Sequence, residues 1–202
     1  MLNLHHISYI HPNKDLLFEQ VDLILQKHEK AALIGNNGAG KSTLLKIIAR
    51  EVAPPEGQIY TNSKPYYVPQ ILENLESLTV AQALGVAEKL SALHGILNGE
   101  VTEENYTLLH DDWTIEERCR EALDLWQLHN IELFQNMNTL SGGQKTKVYL
   151  AGIHVHQAEL IILDEPSNHL DLEGRALLYR MIAHSKATIL LDCHDRKLLY
   201  VV

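Results

Sequence analysis

Cysteine is scarce: 202 residues carry only Cys119 and Cys193. Two thiols make no disulfide framework, and the first residues, Met1 to His6, hold neither a charged stretch nor a long apolar one. Together these set the expectation of a reducing, cytoplasmic compartment. Long hydrophobic runs are missing too. Segments such as Ile161-Ile162-Leu163 are strand-sized, well short of the roughly 20 residues that span a bilayer. Positive charge is in deficit: 17 Lys and Arg face 26 Asp and Glu, a formal net charge of −9. Proteins held to nucleic acid through phosphate contacts are usually basic, so direct nucleic-acid binding by this chain is disfavoured, as is a polybasic membrane contact. Internal repeats and low-complexity tracts are absent. What remains is ordinary globular composition, 46% apolar and 21% charged, in a chain long enough to bury about 70% of its extended surface without a staple.

The hydrophobic pattern divides the chain. Residues 2–26 mix short apolar runs with a turn at His11-Pro12-Asn13-Lys14-Asp15 and read as a strand hairpin. Residues 31–34 are a buried strand running into glycine, and residues 41–50 suit a buried helix. Residues 58–68 read as two strands around Asn62-Ser63-Lys64-Pro65. Residues 71–139 are rich in helix formers, with amphipathic helices expected over 80–93 and 115–128 and a polar connection over 97–112. After that come helix (143–157), strand (160–163), helix (172–184) and strand (187–191), the alternation of a parallel sheet with crossover helices. The expected fold is α/β, with an antiparallel β subdomain at the N-terminus, a core of residues 1–70 and 140–202, and an inserted helical subdomain over 71–139.

Three motifs carry chemistry. Gly35-Asn36-Asn37-Gly38-Ala39-Gly40-Lys41-Ser42-Thr43 fits G-x-x-x-x-G-K-[ST], between a buried strand and a helix. The glycines let successive N–H groups turn inward around phosphate oxygens, the helix adds its positive N-terminus, Lys41 reaches the β- and γ-phosphates, and Ser42 ligates Mg²⁺. Leu160-Ile161-Ile162-Leu163-Asp164-Glu165 is an apolar strand ending in two acids. It sets Asp164 beside the phosphate loop to hold the Mg²⁺ shell, and Glu165 one residue on to polarise an attacking water. In Leu140-Ser141-Gly142-Gly143-Gln144, Ser141 reads as a helix N-cap and the glycines allow close backbone approach to a ligand.

Together these motifs resemble the ATP-binding cassette (ABC) ATPases, a phosphate-loop NTPase family, over essentially the whole chain. The resemblance implies further roles. Gln70 matches the glutamine that senses Mg²⁺ and the attacking water, Asp171 a dimer-contact aspartate, and His194 the histidine that touches the γ-phosphate. It implies ATP and Mg²⁺ as ligands, Glu165, His194 and Gln70 as catalytic residues, and Ser42, Gln70 and Asp164 around the metal. It also implies a second cassette whose Ser141, Gly142, Gly143 and Gln144 close over the nucleotide, head to tail. For the ring that stacks on adenine, His11 falls near the expected position, with Tyr9 close by. Cys193, where a serine is common, reads as a small buried residue.

Ser167-Asn168-His169-Leu170-Asp171, where transporter cassettes usually read Ser-Ala-Leu-Asp, and Gln144-Lys145-Thr146-Lys147 resemble the ABC-F subfamily. So does the helical segment with Glu88-Lys89-Leu90 and Asp111-Asp112-Trp113. That subfamily lacks membrane domains, joins two cassettes on one chain and generally acts on the ribosome during translation. Cassettes usually continue by at least another strand past the apolar Leu198-Leu199-Tyr200-Val201-Val202, so an N-terminal cassette lacking its C-terminal end is expected. The alternatives are the ATPase subunit of a transporter with a separate membrane partner near Gln70, and a fragment that binds nucleotide without closing a productive dimer. Of the twelve histidines, His5-His6 and His154-x-His156 are the closest pairs. Neither has a convergent Cys or carboxylate in the sequence, so nucleotide-bound Mg²⁺ is the one metal expected.

Overall fold

A computed structural model describes residues 1–10, 16–70 and 77–202. Internal contacts divide the chain into two units. One is Met1–Gln70 with Ala158–Asn168 and Arg175–Val202, and the other is Ile71–Gln157 with His169–Gly174. Among the described residues, no helix is long and apolar enough to cross a membrane.

The first unit holds two sheets. β1 (Leu2–Ile10), β2 (Leu16–Leu25) and β4 (Glu56–Thr61) form an antiparallel sheet in the order β2-β1-β4. β3 (Lys30–Leu33), β5 (Tyr66–Val68), β6 (Leu160–Asp164) and β7 (Thr188–Asp192) form a parallel one in the order β3-β7-β6-β5. β6 and β7 are buried along their whole length, which is why both read as unbroken apolar runs rather than alternating ones. Helix α1 (Lys41–Ile48) buries Leu44, Leu45, Ile47 and Ile48. These join Leu2, Leu4, Ile7 and Leu25 of the antiparallel sheet and Leu160, Ile162 and Leu190 of the parallel one in a single core cluster. At about 1.5–3 kcal/mol per fully buried aliphatic side chain, this cluster fixes where α1 begins, and so where the loop before it must lie.

The pairing of β1 with β2 shifts register at three points, the first of them at its two histidines. Leu4 pairs with Leu23 and Ile7 with Val21, so His5 and His6 together stand opposite the single residue Asp22. This is a β-bulge, with His6 in the left-handed region at φ 51°. On the other flank Gly57, at φ 95°, makes room for it. A Cβ there would lie 2.5 Å from the His6 carbonyl oxygen and 2.7 Å from that of His5. The histidine pair that the sequence left without a carboxylate therefore acquires one through strand register.

The second unit contains α2 (Val80–Ala83), α3 (Ala87–Leu97), α4 (Glu103–Leu109), α5 (Ile115–Leu125) and α6 (Gly142–Val155). The single helix expected over 80–93 is split. A Thr79–Gln82 capping box starts α2, and Gly85, at φ 69°, stops it. The Gly85 amide donates to Gln82 and the Val86 amide to Ala81, the two hydrogen bonds of a Schellman stop. The expected polar connection over 97–112 contains α4, capped by Thr102 and opened by Glu103 and Glu104, acids that suit a helix N-terminus. Arg118 ties the unit together, donating to Asp112 at 2.7 Å and to the Val155 carbonyl at 2.9 Å. α7 (Leu172–His184), from Arg175 onward, and α8 (Arg196–Leu199) belong to the first unit.

Candidate active site

The loop between β3 and α1 curls because glycine permits it. Gly38 and Gly40 have φ of 81° and 91°, a region L side chains rarely enter. Gly40 is also sterically required: a Cβ there would sit 2.8 Å from both Leu17 Cγ and Phe18 Cδ1. The Ala39 amide closes a turn on the Asn36 carbonyl. Lys41 folds back over the loop, its Nζ donating to the carbonyls of Gly35 (3.0 Å) and Asn36 (3.2 Å) and lying 3.6 Å from Asp192 Oδ2.

The carboxyl ends of β6 and β7 bring the acids to this loop. Asp164 is buried, with Oδ1 accepting from the Ser42 hydroxyl at 3.0 Å and Oδ2 from Tyr67 at 3.1 Å. Burial pushes its carboxyl above the usual range, against the pull of those two hydrogen bonds, and Asp192 pushes in the same direction as burial. Burial and Asp164 also raise the Tyr67 hydroxyl, so it stays a proton donor. Glu165 follows in the left-handed region, φ 48°, with its amide held by the Asp192 carbonyl at 3.0 Å. A non-glycine residue there costs about 1–2 kcal/mol, and the twist turns the side chain off the line of β6. Glu165 Oε1 lies 3.3 Å from His194 Nε2, and Oε2 accepts from the His194 amide at 3.4 Å. Burial raises the Glu165 carboxyl, with His194 opposing. His194 Nε2 also reaches Asn37 Oδ1 of the loop, at 3.1 Å.

These groups surround a cavity of about 500 Å³, within the range that holds small ligands. Its lining includes Asn37, Gly38, Gly40, Lys41, Ser42, Thr43, Gln70, Glu165 and His194. Gly35, Asn36 and Ala39 shape the loop without lining the cavity. The lining comes entirely from the first unit. Ser141, Gly142, Gly143 and Gln144 belong to the second, where Ser141 caps α6 in a reciprocal box with Gln144. There Gly143 is packed so closely that a Cβ would sit 2.7 Å from the His169 carbonyl oxygen. His11 lies outside the described residues. Tyr9 packs against the core beside Phe18, ring centroids 6.1 Å apart. Cys193 is buried, 3.9 Å from Ser167 Oγ.

Sequence reasoning gave no role in this site to four of its residues: Leu17, Tyr67, Asn168 and Asp192. Asp192 had a legible signal, since Thr188-Ile189-Leu190-Leu191-Asp192 repeats the pattern of an apolar strand ending in an acid. Its parallel register sets Asp192 beside Asp164. Its Oδ1 is buried with no hydrogen-bond partner among the described residues. Leu17 and Tyr67 carried none, because Leu17 reaches the site by packing against Gly40 and Tyr67 by the pairing of β5 with the distant β6. Chemically, the cavity offers a curled amide loop at a helix N-terminus with a lysine, which suits an anion. It adds a hydroxyl–carboxylate pair of hard oxygens, which suits a small divalent cation. A carboxylate touching an imidazole faces the same space.

A family model described as ABC transporter matches residues 18–168. The tylosin resistance ATP-binding protein of Streptomyces fradiae is 30% identical over 218 residues, covering 96% of this chain and 40% of that protein. ABC transporter F family member 4 of Arabidopsis thaliana is 28% identical over 203 residues, covering 98% of this chain and 26% of that protein. The chain thus spans less than half the length of these curated relatives. Among solved structures, a dimeric ATP-binding cassette in a post-hydrolysis state, bound to ADP and Pi, matches with a TM-score of 0.75 at 22% identity, over 100% of this chain and 91% of that one. That likeness shows the shared α/β fold, and the family model covers most of the sequence, phosphate loop and acid-tipped β6 included: the chain belongs to the ABC transporter family.

Proposed function

We propose that the chain is one ATP-binding cassette, core residues 1–70 and 140–202 with a helical subdomain over 71–139, which binds ATP and, paired with a second cassette, hydrolyses it to ADP and phosphate. One observation carries the reading: Lys41 and Ser42 of α1, Glu165 after β6 and His194 after β7 line a single cavity, with Asp164 hydrogen-bonded to Ser42 at its wall. Residues 35–43 cradle the phosphates, with Lys41 exchanging its loop carbonyls for β- and γ-phosphate oxygens. Ser42 and Asp164, 3.0 Å apart, fit Mg²⁺ as hard oxygen donors, and Gln70 at the cavity wall completes the set. Bound Mg²⁺ would neutralise charge on the transferring phosphoryl group. Glu165 orients the attacking water, and His194, in contact with Glu165, reaches the γ-phosphate. Ser141, Gly142, Gly143 and Gln144 serve the nucleotide of the partner cassette, and His11 is the ring assigned to adenine.

Within the family the proposal is ABC-F, acting on the ribosome in the cytoplasm. It is supported by the Asn168-His169-Leu170-Asp171 loop and by relatives that bear the F family name. Glu165→Gln tests the chemistry. ATP turnover should fall by about 10²–10⁴-fold while an ATP-dependent dimer persists on size-exclusion chromatography, and unchanged turnover refutes the assignment of Glu165. The same substitution in the full-length protein, sedimented with ribosomes in ATP, tests the partner. Absence of that variant from the ribosome pellet counts heavily against the ABC-F reading and favours a transporter subunit.

A further inference from the structure

We propose that His5, His6 and Asp22 form a surface site for a borderline divalent transition-metal ion, of which Zn²⁺ is the natural probe. On a regular strand, neighbouring residues point to opposite faces. The bulge in β1 cancels that alternation and brings both imidazoles to the one residue opposite them. Asp22 is held for the purpose: Oδ1 accepts the His6 backbone amide at 2.9 Å, and Oδ2 lies 3.1 Å from His6 Nδ1. His5 Nδ1 lies 3.7 Å from Oδ1. The two rings meet edge to face, centroids 4.1 Å apart, and all three donor atoms lie within 4.8 Å of one another.

The donor chemistry selects the ion. Two imidazole nitrogens and one carboxylate oxygen suit Zn²⁺, Ni²⁺, Co²⁺ or Cu²⁺ over the all-oxygen preference of Mg²⁺ and Ca²⁺. At metal–ligand bonds of about 2.0–2.2 Å, tetrahedral or octahedral donors stand about 3.0–3.5 Å apart. The His6–Asp22 spacing already matches, and the exposed His5 ring closes its gap by a small side-chain rotation. Elsewhere His129 pairs with Asp124 at 2.8 Å and His94 with Glu116 at 2.7 Å. Among the described residues, the bulge is where three such groups meet. Water completes the coordination at this exposed position, so the ion exchanges freely, and while bound it staples β1 to β2 across the bulge.

Calorimetric titration of the 202-residue protein with ZnCl₂ is the test, repeated on D22N, on the double variant H5Q/H6Q and on H129Q. The wild type should take up one saturable equivalent. D22N and H5Q/H6Q should each weaken it by at least about tenfold, the scale of losing a partner in a metal site, while H129Q binds as the wild type does. D22N keeps an oxygen to accept the His6 amide, and metal-free melting curves matching the wild type establish that the sheet is intact. The proposal is overturned by a wild type with no saturable equivalent, by D22N and H5Q/H6Q binding as tightly as the wild type, or by H129Q losing the equivalent as they do.

Discussion

Replacing Gly40 by alanine should destabilise the protein more than the same change at Gly38, and the difference has a calculable source. Both residues hold left-handed backbone, φ 91° and 81°, so each alanine carries about 1–2 kcal/mol of conformational strain. At Gly38 a Cβ would meet nothing within 4 Å, whereas at Gly40 it would lie 2.8 Å from Leu17 Cγ and Phe18 Cδ1. Those two side chains must move, and Phe18 packs against the main core cluster. Forcing a methyl into packed surroundings adds about 1–3 kcal/mol. For a chain of this size that is about 2–12 °C of melting temperature beyond the Gly38→Ala value. Thermal unfolding followed by circular dichroism measures both variants against the wild type. Equal melting temperatures for the two variants would refute the close approach of β2 to the loop and leave backbone strain as the sole reason for glycine at 40.

The Asp112 cluster makes a prediction with a sign. Hydrogen bonds from Arg118 foremost, and from Lys89, hold the Asp112 carboxyl below the usual carboxylate range. Its stabilisation is therefore present above the ordinary value of 3.8 and is lost as pH falls through the lower folded value. Arg118→Met should cost about 1.5–3 kcal/mol at pH 7, and its deficit in urea midpoint should shrink below pH 4. A deficit that is constant with pH would assign Arg118 to packing alone. Cys119 is buried in α5, and burial pushes its thiol up to about 11, so a disulfide reagent at pH 8 should modify it only as the helical unit opens. Peptide mass spectrometry over time checks this, and modification at the rate of a free thiol would contradict the packing around α5.

The phosphate loop, the acid-tipped β6 and the capped start of α6 were legible because each needs particular residue types at consecutive positions. Local chemistry writes such sites directly into the chain. What escaped reading depends on register or on a single backbone angle. Tyr67 meets Asp164 only because β5 lies beside β6, and Asp22 meets two histidines only because β1 carries an extra residue. The break in the helix expected over 80–93 turned on Gly85, whose left-handed conformation the hydrophobic period does not register. Asp192 was within reach, since its strand copies the pattern of β6. It was passed over because no motif names it.

The contacts of Lys41 have a consequence for selectivity. Its ammonium is already satisfied by two carbonyls and a nearby carboxylate, so an incoming anion enters a competition. Under the proposed function, a polyphosphate that brings several oxygens at once is better placed to win that exchange than an anion offering one. The contacts of Lys41 would then set a threshold, favouring the ligand that can replace all three partners together.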